Sequence, residues 1–120
     1  MAARFTELIV DAHDPEQLAK FWAAVLGWRT TTQHDGLVEI ASDDRVVPTL
    51  VFVPVPDAKT TKNRLHIDVN PVGCEQDDEL ARLLALGAVQ VDVGQGDDAP
   101  WVVLADPEGN EFCLLRSRVG

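Results

Sequence analysis

With 120 residues, 46% of them hydrophobic and 25% charged, the chain has the length and make-up of one compact domain with its own core. Its formal charge of −10 counts against nucleic acid or an anionic membrane surface as partner, and suits a neutral or cationic small molecule. Neither a membrane-length apolar run nor the apolar stretch of a secretory signal is present, so the expectation is a cytoplasmic protein.

The first strand is expected at about residues 4–11, where Phe5, Leu8, Ile9 and Val10 precede turn-like residues. A helix start follows, with Asp14 as N-cap and Pro15 at the first helical position. Leu18, Phe21, Trp22, Val25 and Leu26 then recur at three- and four-residue spacing, and Gly27 is placed to end the helix. Strands are expected at 28–33 and 37–41, joined through His34, Asp35 and Gly36, whose Asp-Gly step favours a tight hairpin. Residues 46–53 supply a third strand of this group, and the proline-bearing, polar segment 54–63 reads as a linker inside one fold.

The second half repeats the order. In residues 64–70, Leu65, Ile67 and Val69 alternate with His66, Asp68 and Asn70, as in a strand with one apolar face. Leu80, Leu83, Leu84 and Leu86 mark a helix closed by Gly87, and strands are expected at 89–93, 101–105 and 111–116. Gly27 and Gly87 lie 60 residues apart, and Val53 and Cys113 in the last strands keep that shift, whereas the first strands need a one-residue slip. Internal repetition explains this: two βαβββ modules, at about 1–56 and 62–120. Cys74 and Cys113 form no C-x-x-C pair, and Cys113, in an apolar run, reads as a small buried hydrophobe.

Three blocks resemble the glyoxalase-like domains of the vicinal oxygen chelate superfamily, which includes bleomycin resistance proteins and extradiol dioxygenases. They are the helix segment from Asp14-Pro15 to Leu26-Gly27-Trp28, the strand Lys62-Asn63-Arg64-Leu65-His66-Ile67-Asp68-Val69, and the hairpin from Trp101 through Asp106-Pro107-Glu108-Gly109-Asn110 to Leu114. The resemblance implies an α+β fold whose two modules form curved mixed sheets around a cleft. It also implies ligand positions on the first and last strand of each module, where a divalent metal can chelate adjacent substrate oxygens. Carried onto this chain, the first-strand positions are Glu7 and His66, and the last-strand positions are Val53 and Cys113. Val53 cannot ligate, thiolate suits oxygen-rich metal sites poorly, and Glu7 with His66 supplies two donors where a catalytic zinc site has three. The family's full metal site is therefore expected to be missing.

Strand parity turns His66 and Asp68 toward the cleft if Leu65 and Ile67 face the core. His66 then serves either as a structural histidine or in acid–base, ligand or metal contact, and Glu7 either as a solvated residue or as a general base. Trp28 and Trp101 either pack within their hairpins or stack on a ligand, whereas Trp22 belongs to the helix's core face. Arg64 is either a solvated strand end or an anchor for an anionic group. The glycine-rich residues 94–100 suit a loop closing over a cleft. Two functions compete. One is a small-molecule binding protein, its ligand cationic or aromatic and contacted by Trp28, Val53, Arg64, Asp68, Trp101 and Cys113. The other is a lyase, isomerase or dioxygenase-type enzyme using Glu7 and His66, with a divalent metal or as an acid–base pair. The resemblance further implies a homodimer.

Overall fold

The structure, a computed structural model, describes residues 1–92 and 98–120. The expected strand end at Val93 and most of the 94–100 segment lie outside the described residues. Contacts cluster into two units, residues 1–58 and 59–120.

The first unit contains β1 (Glu7–Ala12), α1 (Pro15–Leu26), β2 (Arg29–His34), β3 (Leu37–Ala41) and β4 (Thr49–Pro54). Its sheet runs β1-β4-β3-β2, with β1 parallel to β4 and the other pairs antiparallel. Local chemistry fixes α1 at both ends. The Asp14 carboxylate accepts from the Gln17 N–H, Pro15 opens the first turn, and Gly27 at φ 68° closes the last. The apolar stripe of α1 buries Leu18, Phe21, Trp22 and Val25, while Val38, Ile40, Leu50 and Phe52 are buried in β3 and β4, the strands it packs on most. Each such side chain contributes about 1.5–3 kcal/mol by leaving water. Asp35 (φ 51°) and Gly36 (φ 83°) turn the β2–β3 hairpin with two left-handed residues, as the Asp-Gly step demands.

The second unit contains β5 (Ile67–Val69), α2 (Gln76–Leu86), β6 (Val89–Gln90), β7 (Val102–Ala105) and β8 (Glu111–Leu114). Its sheet runs β5-β8-β7-β6, with β5 parallel to β8. Each half thus has the βαβββ order, and the α+β class with two mixed four-stranded sheets is as expected. Among the described residues no helix is long and apolar enough to cross a membrane.

Several expected boundaries move. Residues 46–48 are not strand: β4 opens at Thr49, after Pro48, which has no N–H to give a ladder, and Val46 and Val47 are exposed. The strand expected over 64–70 shrinks to Ile67–Val69, and Leu65 is 79% exposed rather than buried. The reason lies in the partner strand. β8 begins at Glu111, Ile67 pairs with Phe112, and the chain ahead is held by side chains, the Asn63 N–H donating to the Glu111 carboxylate. The face of α2 also differs from the leucine pattern. Its inward stripe is Gln76, Glu79, Leu80 and Leu83, while Leu84 and Leu86 stay exposed. The polar members of that stripe are satisfied: Gln76 donates to the carbonyls of Pro100 and Leu114, and Arg82 grips Glu79 with two bonds of 2.8 and 2.7 Å.

Candidate functional site

The second sheet has two unlike faces. On one, Leu104, Phe112 and Leu114 are fully buried, as is Leu83 of α2. Parity sends the alternate residues to the other face, where a cavity of about 300 Å³ opens. Its apolar wall is Trp101, Val103, Cys113 and Leu115, and its polar wall is Lys62, Asn63, His66, Asp68 and Glu111.

β5 and β8 carry the chemistry. Asp68 stands directly across the parallel ladder from Cys113, and His66 lies just ahead of β5, two residues before Asp68. His66 Nε2 lies 3.2 Å from Asp68 Oδ1, both side chains about half exposed. One nitrogen, one oxygen and one sulfur atom from His66, Asp68 and Cys113 lie within 4.8 Å of one another. Burial pushes the Cys113 thiol above its usual range, the Asp68 carboxylate adds to this by charge and hydrogen bond, and Lys62 opposes it. The thiol therefore stays protonated at neutral pH when nothing else binds it.

Glu111 is pinned at the pocket wall. Its carboxylate accepts from Lys59 Nζ at 3.0 Å and from the Asn63 N–H at 3.3 Å. Burial alone would raise its pKa, but the Lys59 hydrogen bond and charge and the backbone donors outweigh it and hold the carboxyl below its usual range. Asn63 Nδ2 donates to Asn110 Oδ1 at 3.4 Å, while Asn63 Oδ1 is buried with no partner among the described residues.

The residues expected to form the site divide between the units. His66, Asp68, Trp101 and Cys113 converge on the cavity, whereas Arg64 is exposed and does not line it. Glu7, Trp28 and Val53 belong to the first unit. Glu7 is exposed, and Trp28 donates its N–H to the Ala23 carbonyl, helping to close α1. Ladder register refines the match between halves. Val53 pairs with Asp11 in the first ladder as Cys113 pairs with Asp68 in the second. The first half offers Val53 where the second offers Cys113. Sequence reasoning passed over Glu111 and Lys62 as site residues. Glu111 was detectable, since it sits two residues before Cys113 and shares its face, whereas nothing in the sequence shows that Lys62 lines the pocket.

A second polar cluster belongs to the first sheet. Glu39 accepts from Thr31 Oγ1 at 2.7 Å and Thr49 Oγ1 at 3.0 Å, with Arg45 at 3.5 Å. With both hydroxyls and the guanidinium engaged, it reads as a structural knot.

The chain belongs to the glyoxalase-like domain family, whose pattern it matches over residues 7–115. No curated protein matches it in sequence. Solved structures agree on the fold. The fosfomycin resistance protein FosX from Mesorhizobium loti superposes with a TM-score of 0.71 at 13% identity, over 98% of this chain and 94% of that one. A glyoxalase/bleomycin resistance protein/dioxygenase family enzyme from Burkholderia phytofirmans gives 0.68 at 15% identity, over 93% and 97%. Lactoylglutathione lyase from Agrobacterium tumefaciens gives 0.58 at 16%, over 94% and 92%. These identities speak for a shared fold.

The superfamily's divalent metal can be tested against the donors present. His66, Asp68 and Cys113 offer nitrogen, oxygen and sulfur, which fit an ion of the zinc class and not the oxygen-rich shell that magnesium or manganese prefers. Such an ion, when bound, would supply Lewis-acid polarisation of a ligand oxygen.

Proposed function

We propose that the protein binds a small organic molecule, aromatic or cationic, on the open face of its second sheet. The observation that carries this reading is the cavity of about 300 Å³, in which Trp101, Val103 and Leu115 face the His66–Asp68 pair. That volume is at the small end of ligand sites, and an apolar wall with a few convergent polar groups is their usual make-up. Trp101, 39% exposed, offers a ring face for stacking, and Asp68 with the net charge of −10 favours a positive group on the ligand. The solved relatives include a fosfomycin resistance protein and a lactoylglutathione lyase, so small-molecule chemistry accompanies this architecture.

Titration with a panel of small aromatic cations, read by tryptophan fluorescence, tests the proposal. Saturable quenching is expected, with most of it lost in Trp101→Phe and affinity weakened about tenfold in Asp68→Asn, as for one charge-assisted contact. Quenching that persists undiminished in Trp101→Phe, or none for any member of the panel, would sink it.

An enzyme reading is favoured by one observation, the three-donor group in the same pocket. It would rest on His66 with Asp68 and Cys113 rather than on His66 with Glu7. A homodimer accompanies either reading: β1 and β5 are edge strands with exposed Phe5, Ile9 and Leu65 nearby, and light scattering during size-exclusion chromatography reads it directly.

A further inference from the structure

We propose that the pocket of the second sheet takes a compact zwitterion of the amino-acid kind, its acidic group held by the Lys62 ammonium and its positive group by the Asp68 carboxylate. The assignment rests on the binding reading of the pocket and names the class of its ligand.

The charges around the cavity carry it. Glu111, on the polar wall, is already engaged: Lys59 Nζ stands 3.0 Å from its Oε2, and the Asn63 N–H donates to the same oxygen. Lys62 lines the cavity too, but its side chain has no hydrogen-bond or ion-pair partner among the described residues. A cation left over beside a neutralised anion favours an acidic group supplied from outside. The chain next to Lys62 is anchored, since Asn63 is tied through its N–H to Glu111 and through Nδ2 to Asn110. Lys62 therefore projects from a fixed point at the cavity's edge.

Asp68 is the opposite pole. Its Oδ1 meets His66 at 3.2 Å, and a carboxylate has about four acceptor sites, so capacity remains for a positive donor. Both poles act on one wall position. The Cys113 thiol, raised first by burial, is raised further by Asp68 and lowered by Lys62. Two charges of opposite sign near one sulfur suit a ligand whose own charges lie a few bonds apart.

The remaining wall, Trp101, Val103 and Leu115, receives the ligand's apolar body. At about 30 Å³ per water, the cavity of about 300 Å³ has room for roughly ten waters, or a body the size of an aromatic amino acid. The net charge of −10 repels a plain anion at long range, but a zwitterion brings an acidic group to Lys62 without that penalty.

Calorimetric titration of the full chain with phenylalanine, 2-phenylethylamine and 3-phenylpropionate tests the assignment. Phenylalanine should bind about tenfold tighter than either single-charge probe, the gain of one further charge-assisted contact. Lys62→Gln should bring phenylalanine down to the level of the amine without weakening the amine, and Lys62→Arg should keep the gap. Lys20→Gln, the same charge change at an exposed position of α1, should leave the gap intact. Asp68→Asn should weaken phenylalanine and the amine alike and spare 3-phenylpropionate. An amine that binds as tightly as phenylalanine, or a gap that survives Lys62→Gln, would overturn the zwitterion assignment and leave the binding reading standing. Absence of binding by all three probes would overturn both.

Discussion

Single residues hold the turns and knots that position the strands. Asp106 is 3% exposed, and its carboxylate accepts from the backbone N–H groups of Glu108 and Asn110 and from Asn110 Nδ2. It therefore ties the β7–β8 turn, and with it the end of β8 that carries Glu111 and Cys113. Asp106→Ala leaves buried donors unmatched and should cost about 2–3 kcal/mol in urea unfolding. Glu39 sets a pH dependence. Thr31's hydroxyl holds its carboxyl below the usual range, burial opposes this, and Thr49 and Arg45 add to the lowering. Because the folded value lies below the unfolded one, Glu39's contribution is complete above about pH 4.5 and is lost as pH falls through the folded value. Glu39→Gln should therefore flatten the fall in urea midpoint on acidification from pH 5 to pH 3, roughly, relative to the parent. At this scale the sequence was a partial guide: Asp-Pro-x-Gly-Asn announces a turn, but nothing marks Glu39 as the acceptor for two distant hydroxyls.

Elements with signals at both ends were legible, and those set by their neighbours were not. α1 has its N-cap, its proline, its stripe and its terminal glycine, and each is local. Gly27 and Gly36 separate two demands on a glycine. Both have positive φ, but a Cβ at Gly27 meets nothing within 4 Å, while one at Gly36 meets Pro54 Cγ at 3.2 Å. Gly27→Ala should thus cost about 1–2 kcal/mol of backbone strain alone, and Gly36→Ala more than that, in paired thermal or urea unfolding. In α2 the leucines mark the helix but do not all mark its buried face, since Leu84 and Leu86 stay exposed. The stripe that turns inward carries half-buried Gln76 and buried Glu79, satisfied by the carbonyls of Pro100 and Leu114 and by Arg82. Leu83→Ala, at a fully buried position, should cost 2–5 kcal/mol, roughly, and the same change at exposed Leu86 under about 1.

Across the whole molecule, charge and repetition act together. The two sheets share one strand order, so each half poses the same two ladder positions, and the halves diverge in what they place there. The net charge of −10 gives the surface a long-range pull on cations. If the ligand is cationic, its association rate in stopped-flow quenching should fall as salt rises from about 20 to about 300 mM, while a neutral isostere's rate stays flat. The sequence by itself determined the repeat and the element order, because periodicity, capping and turn chemistry are local, while its resemblance to the glyoxalase-like domains implied the family and the second-half positions His66 and Cys113. Only the tertiary structure decided that Asp68 stands against Cys113 and that Lys62 and Glu111 border the pocket. Those facts depend on ladder register and on where a strand stops, and both are settled by pairing between segments distant in the chain.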